Sequence, residues 1–201
     1  MFSLTQRKRF SLFLILFSVG IAVSGCGLPI EEEEPTDGEV LRALNASKNE
    51  NRTIRFSVNP IPVYIKNIPD GKDEVMLWTQ ATDGVIQFTF VDDDPQNGIA
   101  VRYGIEGPLV CGVTYEPSWK DGVITKASIE IDPKAVIPLP TSGCKQTVAH
   151  EVGHALGLFG HTNDGGMMDP DAGNGKLSPQ TKRVMKLLYS LPPNTDVSHL
   201  E

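Results

Sequence analysis

The segment His-Glu-Val-Gly-His at residues 150–154 constrains the fold of this 201-residue chain more than any other feature. His150 and His154 lie four residues apart, so on an α-helix both imidazoles leave the same face, one turn apart. Two nitrogens placed in this way can reach one Zn²⁺ at ~2.0–2.1 Å. Glu151 would lie beside the metal, where its carboxylate can take a proton from water. The structural alternative is an amphipathic helix with two surface histidines.

A glycine predicts the end of this helix. Gly157 follows His154 by three residues, where a helix that ends in a left-handed conformation commonly has glycine. The chain can then turn back and offer a third metal ligand from the loop. Three of the four histidines fall in this segment, and the fourth, His199, is close to the C-terminus.

Residues 150–170 resemble the signature of the metzincin metalloproteases, closest to the matrixin type: H-E-x-x-H-x-x-G-x-x-H, followed by a methionine turn. Four positions match in place: His150, Glu151, His154 and Gly157. Met168, followed by Asp-Pro, is similar to the family's Met-x-Pro turn beneath the metal. The resemblance implies an α+β, zincin-like catalytic domain over about residues 52–192. It also implies a mixed, mostly parallel sheet, an active-site helix and a C-terminal helix.

The chain departs from the family pattern at the third histidine. The pattern places that ligand at position 160, where this chain has Gly160, and a histidine follows one residue later. A glycine-flanked loop can absorb one extra residue as a small bulge, because glycine accepts unusual dihedral angles. We therefore expect His161 as the third ligand, with Asp164 as the alternative because some relatives use aspartate.

The resemblance implies a zinc-dependent endopeptidase that acts on a protein or peptide, with a zinc-bound water activated by Glu151. Two other classes remain open: a catalytically silent zinc-binding lipoprotein of the cell envelope, and a binding module whose partner contacts the acidic surface. Residues 92–94 and 171–174 could supply oxygens to Ca²⁺, although surface turns have the same composition.

The N-terminus predicts export and lipid anchoring. A basic cluster at residues 7–9 precedes an apolar run over 10–23, as in a secretory signal peptide. The run is shorter than the ~20 residues that a membrane-spanning helix needs. Val-Ser-Gly-Cys at 23–26 resembles the lipobox of bacterial lipoproteins, which implies a signal peptide over 1–25 and a lipid on Cys26. The alternative is an ordinary signal peptide that happens to contain a cysteine.

A lipidated Cys26 would attach the chain to the bacterial cell envelope. In a cell with two membranes this means the outer membrane or the periplasm, and otherwise the cell surface. Residues 26–51 include four consecutive glutamates and little that is apolar, so we expect a flexible acidic tether. Residues 193–201 are expected to be a frayed tail.

The net charge of −7 argues against nucleic-acid binding, which needs clustered basic residues. The sequence does not fix the oligomeric state, and a monomer is the expectation. Cys111 and Cys144 would form a disulfide in an oxidising compartment, and two buried free thiols are the alternative.

Hydrophobic periodicity predicts a mixed α/β pattern in the order β-α-β-β-β-α-α. Period-two alternation indicates strands at 61–65, 86–90, 99–103 and 123–131. Helices are expected over 73–82, over 142–156 and from a Ser178 N-cap onward.

Overall fold

The structure is a computed structural model that describes residues 34–104, 110–132 and 146–200. The chain divides at residue 34 into two units, and almost all of the described residues belong to the second, residues 35–201. The predicted signal peptide, the lipidation site Cys26 and the partner cysteine Cys144 lie outside the described residues. Within the described ranges, no helix is long and apolar enough to cross a membrane.

The described residues form α-helices and one mostly parallel sheet. The helices are α1 (Asp37–Leu44), α2 (Gly71–Ala81), α3 (Thr147–Ala155) and α4 (Pro179–Ser190). The strands are β1 (Arg55–Phe56), β2 (Ile61–Ile65), β3 (Phe88–Val91), β4 (Gly98–Tyr103), β5 (Gly112–Lys120) and β6 (Val123–Ile131). A 3₁₀ turn covers Ala46–Asn49.

The sheet has six strands in the order β1-β6-β4-β2-β3, with β5 added beside β6. All pairings are parallel except that of β5 with β6, which is antiparallel. Among the described strands, β5 pairs with β6 alone, so its other edge has no strand partner there. The prediction of a mostly parallel sheet combined with helices is therefore confirmed.

Alternating apolar residues place the core between the sheet and the helices. Strand β2 buries Ile61, Val63 and Ile65, as the period-two pattern predicts. Helix α2 buries Val75 and Trp78 and packs on α3, so the Trp78 ring contacts the helix that carries the histidines. The sheet and α2 therefore form the scaffold on which α3 lies.

The predicted flexible tether over residues 26–51 is wrong from residue 37 onward. Helix α1 begins at a capping box, in which Thr36 and Glu39 each bond the other's backbone N–H. Leu41 is fully buried, and α1 packs against α4. The acidic composition led to the prediction of a tether in place of this short amphipathic helix. The Thr-x-x-Glu spacing of the capping box was nevertheless present in the sequence.

The predicted frayed tail at 193–201 is also wrong for the described residues. Val197 is fully buried, and its N–H donates to the carbonyl of Asn51. Thr53 exchanges backbone hydrogen bonds with Asn194 and Thr195 in the same way. The two ends of the domain therefore hold each other against the core.

Sequence periodicity also missed strand β5, although it did predict the neighbouring β6. The alternation in β5 is interrupted at Glu116 and Pro117, and the pairing with β6 shifts register between Tyr115 and Ser118. Most of its side chains are at least partly exposed, so the strand lacks the buried stripe that identifies its neighbours.

Candidate metal centre

The structure brings three histidines together at the end of α3. His150 and His154 project from the helix, and His161 reaches them from the loop that follows. One ring nitrogen of each lies within 4.8 Å of the others, and among the described residues this is the only such group that could hold a metal ion. The three predicted residues, His150, His154 and His161, therefore lie together. His161 does so although it lies one residue later than the third histidine of the family pattern.

Helix α3 is held at its first turn by α2. Its N-cap, Gln146, makes no side-chain capping bond. Glu74 of α2 supplies one instead, because its Oε2 accepts from the N–H of Ala149 at 3.1 Å. Trp78 Nε1 donates to the carbonyl of the same Ala149 at 2.8 Å. Both the N–H and the carbonyl of Ala149, the residue directly before His150, are thus hydrogen-bonded to side chains of α2.

Backbone carbonyls orient two of the three imidazoles. His150 Nδ1 donates to the carbonyl of Met167 at 2.6 Å, and His154 Nδ1 donates to the carbonyl of Leu158 at 2.5 Å. A carbonyl can only accept, so the proton of each neutral ring is on Nδ1 and the Nε2 lone pair is free. Sequence patterns could not identify these backbone contacts.

The free lone pairs fit a bound cation. The Nε2 atoms of His150 and His154 face each other at 3.1 Å, and in the tautomer that the two carbonyls select neither carries a proton. Two nitrogens on one tetrahedral Zn²⁺ lie about 3.3 Å apart, given metal–nitrogen distances of ~2.0–2.1 Å. A metal between the rings would satisfy both lone pairs, whereas the rings alone repel each other there.

Burial favours the neutral form of two of the three imidazoles, those of His154 and His161. Burial lowers the pKa of His154 from its ordinary value to about 4. Burial also lowers the pKa of His161, as does the nearby His150, and the carboxylate of Asp169 opposes that change. A histidine must be deprotonated to bind a metal, so both directions favour ligation at neutral pH.

A buried asparagine fixes the turn that leads to His161. The side-chain amide of Asn45 donates to the carbonyls of Ile54 and Gly157 at 2.7 and 2.8 Å. Its Oδ1 accepts from the Ile54 N–H at 2.9 Å. Gly157 has φ +118°, and a Cβ there would lie 2.8 Å from the Asn45 amide, so glycine is required. Asn45 falls in the segment predicted to be a tether, and no sequence pattern indicated this role.

Carboxylates brace the loop after His161. Thr162 Oγ1 lies 2.9 Å from Asp164 Oδ1 and 2.8 Å from Asp169 Oδ1. Asp164 also accepts from the Gly166 N–H and from the hydroxyl of Ser178, the N-cap of α4. Asp164, the alternative third ligand, is therefore engaged in the loop and is absent from the histidine group.

Met168 is buried directly beneath α3. A Cβ built at Gly153 would lie 2.5 Å from Met168 Sδ and 2.7 Å from Trp78 Cζ2. Only glycine at this position lets the methionine pack so closely against the helix. Met168 therefore packs against the helix that carries His150 and His154, and its role as a methionine turn stays a prediction.

Glu151 is buried beside the histidines at the base of a cleft. The hydroxyl of Thr114 in β5 lies 2.7 Å from its Oε2 and 2.8 Å from its backbone carbonyl. Burial raises the pKa of Glu151, while the Thr114 hydrogen bond and the charge of His150 oppose that rise. Such a carboxylate suits a general base better than an exposed one. Sequence analysis identified Glu151 and missed Thr114.

The cleft has a volume of about 650 Å³, in the range of ligand-binding sites. The strand β5, the end of α3 and the loop after His161 line it, and Lys48 of the 3₁₀ turn is at its margin. All three histidines and Glu151 face this space, so a ligand in the cleft would meet the metal site directly.

The remaining predicted sites have other contacts. Asp94 pairs with Arg102 at 2.8 Å and Lys126 at 3.0 Å, which leaves its charge neutralised. Asp171 and Asn174 each accept a backbone N–H two residues on, as in an ordinary Asx turn. Cys111 is disulfide-bonded, and its pairing with Cys144 stays a prediction because Cys144 lies outside the described residues.

Comparison with protein-family models finds no match, and no curated protein matches this chain.

Proposed function

We propose that this chain is a zinc-dependent endopeptidase of the metzincin type, closest to the matrixins. The observation that carries the proposal is the joint placement of three histidine nitrogens and the buried carboxylate of Glu151 in one cleft. A structural zinc site is usually closed by four protein ligands, whereas three ligands and an open cleft suit catalysis. The sequence resemblance supports the same reading, and so does the methionine packed beneath α3.

The metal, when bound, would supply a Lewis acid that polarises the peptide carbonyl and stabilises negative charge on its oxygen. His150, His154 and His161 would hold it. Glu151 accepts a proton from the attacking water and passes it to the departing amine. Thr114 holds the Glu151 carboxylate at the wall of β5, so the base is oriented before the substrate arrives.

Strand β5 offers a means of binding the substrate backbone. It runs along the cleft and pairs on one side with β6, while no other described strand covers its second edge. An extended peptide could add to that edge through backbone hydrogen bonds. This mode suits a protease, because it presents a peptide carbonyl without requiring a particular sequence.

The test is cleavage of a mixed quenched-peptide library by the chain expressed from residue 27, beside Glu151→Gln at equal metal content. We expect cleavage by the parent chain that disappears on chelation and falls by about a thousandfold or more in the variant. Equal cleavage by the two proteins would contradict the assigned role of Glu151.

A catalytically silent zinc-binding lipoprotein remains the second candidate. Complete zinc loading with no cleavage of any library member would favour it. For either function we propose attachment to the bacterial cell envelope through Cys26, and this rests on the sequence alone. Labelling with a radioactive fatty acid, which should vanish in Cys26→Ala, tests the anchor.

A further inference from the structure

An exposed ion pair lies in the lining of the cleft that contains the histidines. Lys48 Nζ of the 3₁₀ turn lies 3.5 Å from Glu116 Oε1 of β5, and both residues line the cleft. The two side chains come from different elements, one from the 3₁₀ turn of the N-terminal segment and the other from the edge strand. A peptide that binds next to this part of the cleft lining would meet both charges.

The backbone directs Glu116 into the cleft. Glu116 follows Thr114 by two residues, and both line the cleft, where the Thr114 hydroxyl contacts Glu151. The register shift between Tyr115 and Ser118 interrupts the pairing with β6 at this point. Irregularities of this kind commonly re-aim a side chain beside a functional site. Pro117, which follows, is buried and has no backbone N–H to donate to β6.

A charged group of a substrate can readily replace one partner of the Lys48–Glu116 ion pair. The Lys48 side chain is 49% exposed and that of Glu116 is 69% exposed. Exposed pairs contribute little to stability, so a substrate charge can replace one partner at small cost. Phe159, which also lines the cleft, adds an apolar surface against which the stem of a long side chain can pack.

We propose that Glu116 is a specificity-determining residue that binds a Lys or Arg side chain of the substrate, and that Lys48 competes for it. This inference rests on the proposed endopeptidase function. Thr114 and Glu116 are about 7 Å apart along the strand, at ~3.3–3.4 Å per residue. The preferred basic residue should therefore lie about two positions from the bond that is cut.

Substitution of Glu116 and substitution of Lys48 should change the preference for a basic substrate residue in opposite directions. Glu116→Gln removes the acceptor and leaves Lys48 unpaired, so the preference for a basic over an acidic residue should fall at least threefold. Lys48→Met leaves Glu116 unopposed, so the same preference should rise about threefold. These effects concern the choice of substrate, and zinc content should be equal in all variants.

The experiment measures kcat/KM on quenched peptides that carry Lys or Glu at each position in turn, using the full chain from residue 27. Glu50→Gln is the matched control, because it removes the same charge close to Lys48 from a residue that does not line the cleft. Cleavage with an unchanged Lys-to-Glu ratio in both test variants would overturn this inference and leave the endopeptidase proposal standing.

Binding provides a readout that does not depend on cleavage. Fluorescein-labelled versions of the same peptides are titrated against each variant, and anisotropy gives Kd. The lysine peptide should bind the parent chain at least threefold more tightly than the glutamate peptide, and Glu116→Gln should remove that difference. Equal Kd values for the two peptides on the parent chain would overturn the role of Glu116, whether or not any peptide is cut.

Discussion

At the scale of single residues, the histidine site depends on neighbours that are not among the candidate metal ligands. Asn45 joins the N-terminal segment to the turn at Gly157, and Thr114 joins β5 to Glu151. Both are small polar side chains with buried or partly buried hydrogen bonds. Because an unsatisfied buried polar group costs ~1–3 kcal/mol, each should have a measurable effect when it is removed.

We expect Asn45→Ala to lower the free energy of unfolding by about 3 kcal/mol, since three buried backbone groups lose their partner. Urea unfolding of the metal-free chain measures this. Asn49→Ala is the matched control, because its amide makes an exposed contact with Asn194 and should cost less than about 0.5 kcal/mol. Equal losses in the two variants would contradict the role of Asn45.

We expect Thr114→Val to lower kcat/KM about tenfold at mildly acidic pH. The Thr114 hydrogen bond lowers the pKa of Glu151, so its loss raises that pKa further and leaves less of the base ionised. The acid limb of the pH–rate profile should therefore move to higher pH. Thr125→Val serves as the control, because that hydroxyl bonds the Ser118 carbonyl on the exposed surface. An unshifted acid limb would count against the contact.

The proximity of His150 to His154, and of Glu151 to both, could be predicted because a spacing of four residues has a direct geometric meaning on α3. His161 required the family pattern and an allowance for one extra residue. The carbonyls of Met167 and Leu158, and the side chains of Asn45 and Thr114, are far apart in sequence or are backbone groups. No periodicity reports such contacts, so they became visible only in three dimensions.

At the scale of elements, α3 is held from several directions. Helix α2 fixes its first turn through Ala149, and Met168 packs against it at Gly153. The long, strongly periodic elements, such as β2 and β6, were predictable from burial alone. Helix α1 and strand β5 were not, because one is short within an acidic segment and the other has a proline and an irregular register.

We expect Gly153→Ala to destabilise the chain by about 1–3 kcal/mol, even though alanine favours helices more than glycine does. The added Cβ would meet Met168 Sδ and Trp78 Cζ2 at 2.5 and 2.7 Å. Urea unfolding and a zinc titration would both detect the change. The cost should be smaller in a Met168→Ala background, and an equal cost in both backgrounds would mean that the methionine is not the obstacle.

At the scale of the whole molecule, the two terminal segments belong to the folded unit. Residues 37–51 pack on α4 and on the turn after α3, and residues 192–197 pair with 51–53. The domain boundary predicted at residue 52 therefore cuts through packed structure. Composition suggested a tether because acidic side chains cover the solvent face of α1, while Leu41 faces the core.

We expect a chain that begins at residue 52 to be far less stable than one that begins at residue 34. The shorter chain lacks Leu41 and Asn45, which are both fully buried. Their loss together should cost at least ~4 kcal/mol, comparable with the whole stability of a small domain. Thermal unfolding of the two chains is the measurement, and closely similar midpoints would contradict the integral role of this segment.

Because α1 is folded, the stretch of chain that could separate the cleft from a lipid anchor at Cys26 is short. If Cys26 carries the lipid, only about nine residues separate the anchor from the folded unit that begins at residue 35. Fully extended, they span at most about 30 Å. A free segment of 26 residues would have reached roughly three times that distance. If the chain is lipidated at Cys26 and is an endopeptidase, as proposed, its substrates would have to come within a thin layer next to the membrane.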